Sequence, residues 1–184
     1  PAHAVEVWDA LWQAGQPHGL EPVGYRALDS LRLEKGYRYF GAELTPRETP
    51  FEAGLGSFVR LGKADFVGRD ALLARQAAEP EGPARRLRTV VLGGGDWQPI
   101  YGGEAVRLNG EVVGRLRSAA FGYTVGRTVG TVYLSSGVAE GQPIEIDVFA
   151  DRVSGEVAPD VLVDPSGSKM RACASIGMPT PRSA

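Results

Sequence analysis

Between Arg32 and Phe40 the chain sets Arg32, Lys35 and Arg38 among Tyr37, Tyr39 and Phe40. A guanidinium group matches flat, acceptor-rich partners and carboxylates through its fork of N–H donors. Arg32 also follows Asp29 by three residues, so an ion pair within a helix competes for the same donors. Just beyond, Thr45-Pro46-Arg47-Glu48 and Thr49-Pro50-Phe51-Glu52 each satisfy the capping-box pattern, with proline at the first helical position. In such a box the glutamate binds backbone N–H groups, so Glu52 reads as architectural rather than catalytic.

Other reactive constellations are missing. His3 and His18 lie apart from any cluster of carboxylates, and no metal-ligand spacing emerges. No serine occupies a G-x-S-x-G elbow. From Gly56 to Gly62-Lys63-Ala64 the glycine spacing is one residue too long for a phosphate loop, and Ala64 replaces the metal-binding hydroxyl. Gly93-Gly94-Gly95 lacks dinucleotide spacing. Arg107, Arg115, Arg117 and Arg127 interleave with Phe121 and Tyr123, but on a near-neutral chain this pattern describes the solvated side of strands. No nucleophile, general base and orienting partner come together, so no catalytic residue is assigned.

The elements that position these residues follow from periodicity. Val5, Trp8, Leu11 and Trp12 predict a helix over 5–14, ended by Gly15 and Pro17. Ala27, Leu28, Leu31 and Glu34 predict a second over 23–35, with Gly36 as its stop. One of the two capping boxes is expected to be used, or the stretch forms a rigid surface turn. A third helix is expected from Asp65 through about Gln76. Glu79-Pro80-Glu81-Gly82-Pro83 then breaks all periodicity. Strands follow: 87–92, a hairpin around Asn109-Gly110, 128–134, 144–149 and 153–157. These five or six antiparallel strands suggest a small barrel or sandwich.

Bulk properties narrow the class. The 184 residues are 43% apolar, enough for a packed core, and carry a net charge of −2, no footprint for nucleic acid or an anionic membrane. No apolar run approaches the roughly 20 residues of a membrane span. The single cysteine, Cys173, has no internal partner, which suits a reducing compartment. Because the sequence opens at Pro1 without methionine, it is expected to be a piece of a longer polypeptide.

Five blocks stand out: Ala27-Leu28-Asp29-Ser30-Leu31-Arg32-Leu33-Glu34-Lys35-Gly36, Thr49-Pro50-Phe51-Glu52-Ala53-Gly54-Leu55, Lys63 with Asp65-Phe66-Val67-Gly68, Val112-Val113-Gly114, and Thr128 through Leu134. They resemble the aminomethyltransferase family, which includes the glycine-cleavage T-protein and the folate-binding half of dimethylglycine and sarcosine dehydrogenases. The resemblance runs in order from Pro1 to about Ala172. It implies an α+β fold: the end of a T-protein-like folate-binding domain (helices plus antiparallel sheet), followed by a small antiparallel β-barrel. The implied division is 1–78 for the folate-binding part, 79–86 as linker, 87–172 for the barrel and 173–184 as tail.

Glu34-Lys35-Gly36-Tyr37-Arg38 and the Lys63 to Arg69 block resemble the dehydrogenase-linked branch more than the stand-alone T-proteins. The resemblance therefore implies tetrahydrofolate and a methylated amine as ligands, FAD on an upstream domain, and the missing N-terminal half of the same fold as partner. A cytoplasmic or mitochondrial-matrix setting would follow. Arg32, Phe40 and Ser57 are the implied folate-binding positions, with Phe40 either cavity wall or core. Relatives carry Trp or Tyr where this chain has Ser57, and Phe58, if in a strand, would face the other way. The family's catalytic aspartate and pterin-gripping glutamate lie upstream of Pro1, so the segment alone is expected to be inactive. A T-protein, a folate-dependent demethylase and a non-enzymatic folate-binding accessory protein are the alternatives. The last usually carries a cysteine where Tyr37 to Gly41 has none.

Overall fold

Helices come first and strands second. The helices α1 (Ala4–Gly15), α2 (Tyr25–Glu34) and α3 (Arg69–Ala78) precede the strands β1 (Arg85–Leu92), β2 (Ala105–Leu108), β3 (Glu111–Gly122), β4 (Arg127–Ser135), β5 (Pro143–Val148) and β6 (Asp151–Ala158). A short α4 (Ser168–Cys173) follows. The computed structural model describes residues 2–94 and 97–173, so Gly95 and all of the expected tail beyond 173 lie outside the described residues.

The six strands close an antiparallel barrel in the order β1-β4-β3-β2-β5-β6. Its interior is filled by alternating residues: Ile144, Ile146 and Val148 are buried while Glu145 and Asp147 between them are only half-buried. The β2–β3 hairpin turns at Asn109 (φ 52°) and Gly110 (φ 84°), the left-handed pair that a type I′ turn demands. By contrast β4 is buried without a break from Thr128 to Leu134. Its inner side meets the barrel core, and its outer side meets α2, where Leu33 packs with Val91, Val129 and Ala158. Every strand among the described residues belongs to the barrel; the N-terminal part contributes helices and turns, with one isolated bridge from Phe40 to Leu44.

Three local expectations change. The third helix begins at Arg69 rather than Asp65. Gly56–Phe58 is a 3₁₀ turn, not a strand, so the argument that Phe58 must face away from Ser57 fails. The second capping box forms in full and the first only through its glutamate, Thr45 Oγ1 accepting from Arg47 N instead of Glu48 N, and neither starts a lasting helix. Thr45 N donates to Glu48 Oε2 at 3.0 Å, and Thr49 N donates to Glu52 Oε2 at 2.8 Å while Glu52 N donates back to Thr49 Oγ1 at 3.2 Å. Pro50 stands four residues after Pro46 and would clash with the Pro46 carbonyl in a continuous helix. The second box yields one turn, from Ala53 N to Thr49 O at 3.1 Å, before Leu55 N closes onto Pro50 O at 2.8 Å.

Candidate functional site

α2 lays one face on the barrel and delivers two ionic side chains beside Leu33. Glu34 is 2% exposed, and its Oε1 accepts from Thr124 N at 2.7 Å and Val125 N at 3.0 Å, clasping the β3–β4 turn. Arg32 is 7% exposed. Its Nε donates to Asp29 Oδ1 at 3.2 Å, Nη1 to Glu43 Oε1 at 2.6 Å and to Tyr37 O at 3.4 Å, and Nη2 to Ser118 Oγ at 2.9 Å. The same guanidinium lies 4.5 Å from the centre of the Tyr39 ring. The intrahelical pair with Asp29 is thus one part of a larger internal hub. α2 then ends at Gly36, where Tyr37 N donates to Arg32 O at 2.7 Å.

From Gly36 to Phe58 the chain has almost no regular structure, and buried carboxylates fasten it to the barrel. Glu43, with no exposed surface, also accepts from Tyr39 N at 2.9 Å and Thr131 Oγ1 at 3.0 Å. Burial pushes its carboxyl up, but hydrogen bonds from Ser118, Arg32 and the Tyr39 amide outweigh that and hold it below its ordinary value. Glu48 lies 3.4 Å from Arg117 Nη2 and 3.9 Å from Arg85 Nη2. Glu52 accepts from Arg85 Nε at 2.8 Å; burial raises its carboxyl, but the Thr49 amide and Arg85 bring it below its usual range. Tyr133 sits between Arg85 and Arg117, 5.0 and 5.6 Å from their guanidinium carbons, and donates its hydroxyl to Glu43 O at 3.1 Å. Burial, then the nearby Glu48, pushes that phenol up to about 12.

A β-bulge aims the barrel's half of this network. Leu116 pairs with Val132 and Ser118 with Thr131, which leaves Arg117 as an extra residue in β3. In an unbroken strand Leu116 and Ser118 would share a face. With the bulge, Leu116 fills the core, while Ser118 meets Arg32 and Arg117 Nε donates to Ala42 O at 2.9 Å.

What the fastened segment leaves bare is aromatic. Phe40 is 78% exposed, so it is not core, and Phe58 is 81% exposed. Tyr39 is 39% exposed, and Ser57 is exposed in the turn beside Phe58. Phe40 and Ser57 line neither the cavity of about 510 Å³ between α2, Tyr39 and Met170 nor the groove of about 780 Å³ along Ala42, Arg115, Arg117 and Tyr133. Both stand on the open surface. A flat ring could stack on the exposed face of Phe40.

Sequence reasoning singled out Arg32, Phe40, Ser57 and Glu52, passed over Glu43, Arg85 and Tyr133, and read Arg117 as part of a solvated strand face, whereas it bonds Ala42 O and lies 3.4 Å from Glu48. Only the glutamates of the capping boxes signalled the loop's fastening. The arginines that interleave with Phe121 and Tyr123 are engaged at home: Arg107 with Asp147 at 2.9 Å, Arg127 with Glu156 at 3.0 Å, Arg115 with Gly103 O at 3.0 Å. Among the described residues no group of three or more His, Cys, Asp and Glu side chains could hold a metal ion. No helix among them is long and apolar enough to cross a membrane.

Two family models match the chain. Residues 1–63 match the GCVT N-terminal domain, and residues 85–164 match the glycine cleavage T-protein C-terminal barrel domain. The chain is 38% identical to a 4-methylaminobutanoate oxidase (formaldehyde-forming) from Paenarthrobacter nicotinovorans, over 91% of this chain and 20% of that protein. It is 42% identical to the mitochondrial sarcosine dehydrogenase of Homo sapiens, over 79% of this chain and 15% of that protein. An aminomethyltransferase from Streptomyces avermitilis is 40% identical over 74% of this chain and 36% of its own length. Among solved structures, the glycine cleavage system aminomethyltransferase T from Bartonella henselae superposes with a TM-score of 0.67 at 30% identity, covering 77% of this chain and 40% of that one. The chain therefore spans about a fifth of the oxidase and less of the sarcosine dehydrogenase.

Proposed function

The chain belongs to the glycine cleavage T-protein (aminomethyltransferase) family, and from that premise we propose that it is the C-terminal portion of a tetrahydrofolate-dependent one-carbon transferase joined to an FAD-linked dehydrogenase of the dimethylglycine or sarcosine type. The match to the oxidase runs over 91% of this chain against 74% for the Streptomyces aminomethyltransferase, which favours the dehydrogenase-linked branch. In this reading residues 1–78 end the folate-binding domain, 79–86 link, and 87–172 form the closing barrel. The reactive aspartate and the glutamate that grips the pterin come from polypeptide upstream, as does the flavin domain. Mitochondrial relatives suit a matrix setting if the source is eukaryotic, and the cytoplasm otherwise.

The observation that carries this reading is the contrast within residues 36–58, whose carboxylates are locked to the barrel while Phe40 and Phe58 stand bare. A surface held this firmly with its rings unpaired suits a flat ligand more than a structural contact. Tetrahydrofolate, when bound, supplies the nitrogens that accept the one-carbon unit. Phe40 offers one face, Arg32 holds Tyr39 and the run into Phe40 in position, and Ser57 stands exposed where the family resemblance implies a ring.

Ser57→Trp tests this reading in the full-length protein. By analogy with bases stacked on aromatic side chains, roughly 1–3 kcal/mol of stacking should return, an affinity gain of about ten- to a hundredfold. Titration calorimetry with tetrahydrofolate reads it directly. Absence of binding at millimolar ligand by both the wild type and Ser57→Trp would defeat the proposal.

A further inference from the structure

We infer that Arg38, rather than Arg32, seats a ligand carboxylate, namely that of the glutamate carried by a folate; the inference rests on the folate reading above. Arg32, Arg85 and Arg117 around this segment each have a carboxylate partner: Glu43 at 2.6 Å, Glu52 at 2.8 Å and Glu48 at 3.4 Å respectively. Arg38 has none among the described residues. Its Nη1 donates to Gly36 O, and its Nε is buried without any partner. A buried donor on a permanent cation, left unmatched, is costly and calls for an explanation, a state that Arg88 Nε shares; what sets Arg38 apart is that it also has no carboxylate partner among the described residues.

The surroundings of Arg38 fit an anion from solvent. Its Nη2 would lie 3.2 Å from a Cβ built on Gly54, so the guanidinium rests flush against the backbone that leads into the Gly56–Phe58 turn. Gly54 itself is exposed and Arg38 half-buried, which puts the cation at the surface and not in the core. In sequence it precedes Tyr39 and Phe40 directly, and in space it joins that aromatic run to the turn holding Ser57. A ligand that lays a ring on the exposed aromatic run and ends in a carboxylate matches that order of groups. Arg32 cannot serve equally, because its donors already reach Asp29, Glu43, Tyr37 O and Ser118. A guanidinium also receives a carboxylate through two parallel N–H donors, which a lysine does not supply.

The test compares tetrahydrofolate with tetrahydropteroate, which keeps both ring systems and lacks the glutamate, on full-length wild type, Arg38→Gln and Arg38→Lys, with a melting midpoint for each. Wild type should favour the glutamate-bearing ligand by about tenfold or more. Arg38→Gln should weaken tetrahydrofolate by about ten- to a hundredfold and leave tetrahydropteroate within about twofold, with Arg38→Lys between. Equal weakening of both ligands, or a fall in midpoint with both affinities unchanged, would mean that a carboxylate of the polypeptide pairs with Arg38, and would overturn the inference. So would a wild type that binds both ligands equally. If wild type binds neither, the folate reading itself has failed and this inference falls with it.

Discussion

Glu43 decides whether residues 36–58 stay on the barrel. The side chain has no exposed surface and joins Arg32, the Tyr39 amide and Thr131, so three separate stretches of chain converge on one carboxylate. Breaking a buried pair by neutralising one member leaves the other charge unmet, at about 3–5 kcal/mol. Glu43→Gln should therefore lower the free energy of unfolding by about that amount in a denaturant titration, and Arg32→Met combined with it should cost less than the sum of the two single changes. The pH dependence follows from the same group. Glu43 and Glu52 are held below their ordinary values, so the folded state binds fewer protons than the unfolded state in the acid range. Their stabilisation is complete above the unfolded glutamate value of about 4.3 and disappears as pH falls through the lower folded values. Unfolding midpoints measured from pH 7 down to pH 3 should fall steeply below about 4.5, and less steeply in Glu43→Gln. At this scale the sequence was a poor guide. Arg32 and Glu52 stand in recognisable patterns, whereas Glu43, between Ala42 and Leu44, owes its importance to strands some ninety residues away.

Among the elements, those with strong local chemistry were legible. α1, α2 and the Asn109-Gly110 hairpin fall where periodicity and turn preference put them, because 3.6-residue spacing and left-handed glycine are local properties. Gly110 sits at φ 84° with nothing within 4 Å of a built Cβ, so a substitution there is resisted by backbone conformation and not by crowding. Gly110→Val should cost over about 1 kcal/mol, read as a lowered midpoint in thermal melting, while Gly110→Asn, which tolerates that region, should cost less. The 45–54 stretch shows where local reasoning stops. The second capping box is closed in both directions and the first only through Glu48, but the helix they advertise is cut short by the spacing of Pro46 and Pro50, and their glutamates bond to arginines of β1 and β3. The unbroken burial of β4 was equally hidden, since it reflects the helix lying across the outside of the barrel.

At the level of the whole molecule, the two ends differ in how completely they are covered. No residue of α1 is buried, Trp8 stacks on Trp12 with ring centres 6.1 Å apart, and Val5, Trp8 and Leu11 are 72%, 59% and 64% exposed. Since α1 buries nothing, Trp8→Ser with Leu11→Ser should leave the melting of this chain within about 0.5 kcal/mol of the original and should reduce its binding of a hydrophobic dye. On the proposed reading of this chain as part of a longer protein, the same pair should be destabilising there, because that face would then have a cover. The fold class could be read from the alternation of helix-period and strand-period segments; how they dock could not, because docking depends on single residues out of step with their neighbours. Arg117 is the plainest of these. Removing that one position would let β3 and β4 zip together without interruption, with Ser118 still opposite Thr131 and still turned outward, because it would then directly follow the inward Leu116. The barrel would gain regularity and lose the side chain that reaches Ala42 O and Glu48, so one surplus amino acid serves as a latch between two halves of the molecule.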